Sequence, residues 1–94
     1  MILSQETFRN KSGRKVRLTL VNGGIGLAGV PVYQVWIKTY DLHKDNRGYS
    51  VRLNFTNGDA NTLSLNGAKK AFSHYLKIAK RNTDSYLERI GALV

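Results

Sequence analysis

The sequence predicts an α+β fold: an antiparallel β-meander of about five strands, then an amphipathic helix packed on one face, then a short C-terminal helix. Two observations carry this prediction. Apolar residues alternate with period two through the first two-thirds of the 94-residue chain, and from Asn66 the period changes to that of a helix. Clusters of turn-forming residues separate the alternating runs, which favours neighbouring strands joined by short connections.

Residues 2–9 read as a weak first strand, closed by Asn10-Lys11-Ser12-Gly13, whose members all suit turns. Residues 14–22 form the second, with Val16, Leu18 and Leu20 on one face and Lys15, Arg17 and Thr19 on the other. A glycine-rich loop containing Gly23, Gly24, Gly26 and Gly29 follows. Residues 32–40 are rich in branched and aromatic side chains that pack well on a pleated surface, with Tyr33, Val35 and Ile37 opposite Gln34, Trp36, Lys38 and Tyr40. A polar loop over residues 41–48 leads to a fourth strand, residues 49–56. There Tyr49, Val51, Leu53 and Phe55 face inward, and Ser50, Arg52 and Asn54 face outward. Asn57-Gly58 suits a type I′ turn, which would return residues 60–65 as a fifth strand with Leu63 and Leu65 inward.

Ala68, Ala71, Phe72, Tyr75, Leu76 and Ala79 then fall on one helical stripe, with Asn66 suited to the N-cap. The other side of this helix carries Lys69, Lys70, Ser73, His74, Lys77, Lys80 and Arg81. Thr83-Asp84 opens a short second helix through Tyr86, Leu87 and Ile90, ended by Gly91. Covering the apolar sheet face is the work of the first helix, whose stripe is the large apolar surface available.

Length and composition bound the function. Ninety-four residues suit one domain. An apolar share of 41% marks a folded chain, and no stretch approaches the roughly 20 apolar residues of a membrane helix. The expected setting is cytoplasmic. With no cysteine, thiol nucleophiles, thiolate metal sites and disulfides are excluded. Fifteen Lys and Arg against six Asp and Glu leave a net charge of +9, a bias that attracts polyanions.

The outward sheet face is where that charge meets aromatic rings. Arg17, Trp36, Lys38, Tyr40 and Arg52 interleave cations with ring systems, the combination that holds single-stranded nucleic acid by neutralising phosphates and stacking bases. Trp36 is the expected stacking platform and Tyr40 a second. If the C-terminal helix folded over this face instead, Trp36 would be core. Lys69, Lys70, Lys77, Lys80 and Arg81 supply a second basic surface on the helix, and Arg9, Lys11, Arg14 and Lys15 a third at the first turn.

Two patterns mislead. Gly24-Ile25-Gly26-Leu27-Ala28-Gly29 spells G-x-G-x-x-G, but Val30-Pro31-Val32 leads into a strand, whereas a dinucleotide site needs a helix N-terminus there. Ile25 and Leu27 are instead apolar side chains that a protein partner could take. Asp41, His43 and Asp45 alternate like metal ligands, yet Lys44 and Arg47 stand among them. Neither a metal nor another cofactor is expected.

In outline, a basic antiparallel sheet followed by a helix resembles the single-strand-binding coactivators of the positive cofactor four type. Leu63-Ser64-Leu65-Asn66 is similar to their strand-to-helix junction. The glycine loop and extra helix depart from that pattern, and no functional residue is carried over.

Three functions follow in order. The first is a non-enzymatic nucleic-acid-binding protein that favours single strands and contacts the phosphate backbone; room remains for a homodimer built on an edge strand. The second is a small inhibitor or adaptor, of the kind phages and plasmids encode, docking on a protein or ribonucleoprotein machine through its basic surface and Ile25 and Leu27. The third is a metal-independent ribonuclease using His43 or His74 as base.

Overall fold

A computed structural model of the protein describes residues 1–25, 31–43, 48–53 and 65–93. Strands β1 (Ile2–Arg9), β2 (Lys15–Ile25), β3 (Pro31–Tyr40) and β4 (Gly48–Leu53) form one antiparallel sheet in the order β1-β2-β3-β4. Helices α1 (Leu65–Arg81) and α2 (Asp84–Arg89) follow. The architecture is α+β, as the change of period predicts.

The described residues contain four strands rather than five. Asn57-Gly58, Phe55, Leu63 and most of the expected fifth strand lie outside them. Leu65, expected to end that strand on the inner face, instead opens α1 and is exposed. Asn66 therefore lies inside the first helical turn and not at its cap. Gly67 and Ala68 are buried in that turn, with Ala68 in the core cluster, so the first turn is held by packing rather than by an Asn66 cap. The glycine connection is also shorter than expected. β2 continues through Gly23 and Gly24, and Ile25 pairs with Pro31 beyond a register shift.

Alternation sorts the sheet into two unlike faces. Val16, Leu18, Leu20, Val35, Ile37 and Leu53 are buried on one side with Ala68 and Ala79 of α1, Tyr86 and Leu87 of α2, and Ala92. Each fully buried Leu, Ile or Val contributes about 1.5–3 kcal/mol. Both helices thus cover the same face, and the opposite one stays open. Phe72, Tyr75 and Leu76 complete the α1 stripe, half-buried against this cluster. Tyr49 departs from expectation: it belongs to the inner row but is 44% exposed, beside Leu93 in an open cleft at the end of the sheet.

A polar latch holds α2 in place. The Asn10 amide donates to Asp84 Oδ1 at 2.8 Å, and its Oδ1 accepts from the Ser12 and Arg14 N–H groups, each at 3.0 Å. Arg14 donates from Nη2 to Asp84 Oδ2 at 3.0 Å and from Nη1 to the Tyr40 carbonyl at 2.7 Å. The β1–β2 turn, the end of β3 and the start of α2 are joined in one network. Burial works to raise the Asp84 pKa, but hydrogen bonds from Arg14 and Asn10 and the Arg14 charge outweigh it and hold the carboxyl below its usual range. Beyond α2, Gly91 adopts φ +76°. Its N–H bonds Glu88 O and that of Ala92 bonds Leu87 O, the paired closure that left-handed glycine permits. This turn buries Ala92, whose carbonyl accepts from Thr39 Oγ1 at 2.7 Å.

Candidate nucleic-acid interface

The open face of the sheet is organised in cross-strand rows. Register aligns Gln5, Thr19, Trp36 and Arg52 in one row, and Thr7, Arg17, Lys38 and Ser50 in the next. Arg9 pairs with Lys15, and Tyr40 with Gly48, at the end of the face. Arg9, Lys15, Arg17, Lys38 and Arg52 therefore share one surface with Trp36 and Tyr40, and no carboxylate lies in the described strands on that side. Glu6 points to the helix side, where it pairs with Lys80 at 2.7 Å.

Trp36 is 36% exposed, between Thr19 and Arg52. Its indole N–H donates to Gln34 Oε1 at 3.1 Å, which satisfies the polar edge and fixes the ring without covering it. Tyr40 is engaged differently. The Lys15 and Lys38 ammonium groups stand 4.8 and 5.0 Å from its ring centroid, so the ring gathers two cations. The Lys38 stem also crosses Gly48, where an added Cβ would collide with it.

Arg9 and Lys15 join this face although the sequence reading set them on a separate basic surface. Alternation already placed Lys15 beside Arg17; missing was the register that brings Arg9 across from it. Arg14, grouped with them, is instead half-buried and committed to Asp84. Lys69, Lys70, Lys77, Lys80 and Arg81 are all exposed on α1, but α1 lies on the other side of the sheet. Lys80 turns toward β1, over the Phe8 ring as well as to Glu6.

Ile25 ends β2, and Leu27 lies outside the described residues. His43 is exposed after β3, its N–H bonded to Asp41 at 3.0 Å, while His74 stands on the outer side of α1 against the Tyr75 ring edge. The two histidines belong to separate elements. Among the described residues no helix is long and apolar enough to cross a membrane. No protein family, curated protein or solved structure matches this chain.

Proposed function

We propose that the protein is a non-catalytic nucleic-acid-binding protein that holds a single strand across the open face of its sheet. The observation that supports this best is the open face around Trp36: an exposed, fixed indole on a surface that carries five cations, with no carboxylate on the described face. A base stacks on Trp36, while Arg17 and Arg52 to either side take phosphates or guanidinium-base contacts. Tyr40 acts as an anchor, its ring holding Lys15 and Lys38 as a paired cationic site for the next phosphate. Nothing in this arrangement aims donors at base edges through a recognition helix, so the reading is of backbone and stacking rather than sequence.

The test is tryptophan fluorescence on titration with oligodeoxythymidylate. Quenching that saturates with binding is expected, and Trp36→Ala should weaken binding by about 1–3 kcal/mol, the usual worth of one stacked base. Binding with unchanged fluorescence at saturation would overturn the assignment of this face.

A further inference from the structure

A solvated helix face normally mixes its cations with carboxylates, and the outer face of α1 does not. Lys69, Lys70, His74, Lys77 and Arg81 are exposed along it, and the helix contains no Asp or Glu at all. Its first turn carries no acid to meet the helix dipole, and Lys77 faces Arg81 at i+4, an unfavourable pairing of like charges. Among the described residues, the carboxylate that pairs with a cation of this helix is Glu6, which takes Lys80 at the β1 edge, away from this row. Lys69, Lys70, Ser73, His74 and Lys77 line an open depression of about 360 Å³, and every one of those side chains offers a hydrogen-bond donor.

We infer that this face of α1 is a second nucleic-acid site, and that the protein bridges two strands, one on the sheet and one on the helix. The inference rests on the function proposed above for the sheet face. From Lys70 through His74 and Lys77 to Arg81, members of the row are three or four residues apart and rise about 4.5–6 Å at each step, a spacing commensurate with a phosphate backbone. The apolar stripe of α1 packs on the core and only Leu65, at the helix start, is an exposed large apolar side chain there, too little to enter a lipid headgroup layer. Because α1 covers the inner side of the sheet, the two sites point in opposite directions, and one short strand cannot occupy both.

The experiment mixes the protein with donor-labelled and acceptor-labelled oligodeoxythymidylates of about 8 nucleotides, within the site size of a single binding fold. Energy transfer between the labels should rise to a maximum and then fall with excess protein, as bridged pairs separate onto different molecules. Lys69→Glu/Lys77→Glu should abolish the transfer while leaving Trp36 quenching intact, and the milder Lys69→Gln/Lys77→Gln should reduce it. Quenching without transfer in the unaltered protein would overturn the bridge and leave the sheet site standing; absence of both would remove the sheet reading itself. Transfer that survives the charge reversal would also overturn the inference, because a dimer presenting two sheet sites would then be the bridge. So would phosphatidylserine vesicles that bind the protein through Lys69 and Lys77 while transfer persists in the variant.

Discussion

Removing Arg17 and Arg52 from the sheet face changes how binding depends on salt in a way the register specifies. Arg9, Lys15, Arg17, Lys38 and Arg52 share that face. If each contacts one phosphate, five contacts at about 0.7 each give a slope of log K against log salt near −3.5. Raising salt from about 50 to about 200 mM should then weaken binding by roughly 10²-fold. Arg17→Gln/Arg52→Gln leaves three contacts, a slope near −2.1 and a loss of only about 20-fold over the same range. Trp36→Ala should act otherwise: stacking releases no counterions, so affinity drops at every salt concentration while the slope holds. The assay is anisotropy of a labelled oligodeoxythymidylate, carried out in the Lys69→Glu/Lys77→Glu background so that the helix does not contribute. Identical slopes for the single-face protein and its double-Gln variant would refute the reasoning, since the two guanidiniums would then not meet phosphate.

Gly48→Ala should displace the Lys38 stem from its path to Tyr40; the salt slope then becomes shallower by about 0.7, with little change in melting temperature, and an unaltered slope would take Lys38 out of the site. Asn10→Ala removes two neutral hydrogen bonds and one to the Asp84 carboxylate, a loss of about 3 kcal/mol. At about 4–8 °C per kcal/mol for a chain this size, thermal melting followed by circular dichroism should shift down by roughly 12–24 °C; a shift of only a few degrees would show that the latch does not hold α2. Asp84 titrates below its unfolded value in the fold, so its contribution is present above about pH 4 and is lost as pH falls through the lower folded pKa. Denaturant melts of Asp84→Asn should therefore lose less stability than the unaltered protein between about pH 5 and about pH 2, and equal losses would contradict the depressed pKa.

The period-two runs determined which residues share a face. Val16, Leu18 and Leu20 against Lys15, Arg17 and Thr19, or Val35 and Ile37 against Trp36 and Lys38, follow from backbone geometry alone, so strand identity and the grouping of Arg17, Trp36, Lys38 and Arg52 were legible without a structure. The α1 stripe was legible for the same reason, and so was the helix stop at Gly91.

Periodicity is silent on which face is covered. Whether α2 closes over the Trp36 face or the Leu18 face depends on contacts that alternation does not encode, and the structure puts Leu87 and Ala92 in one buried cluster with Leu18, leaving the indole open. The bonds that hold α2 there run from Asn10 and Arg14 to Asp84, across 74 and 70 positions of sequence, and a polar pair at such a distance leaves no pattern along the chain. The meeting of Lys15 with the Tyr40 ring likewise depends on the pairing of β2 with β3. Local spacing thus decided the elements and their two-sidedness. Only tertiary packing decided which side faces out, because that choice is set by where apolar surface and buried hydrogen bonds can both be satisfied at once.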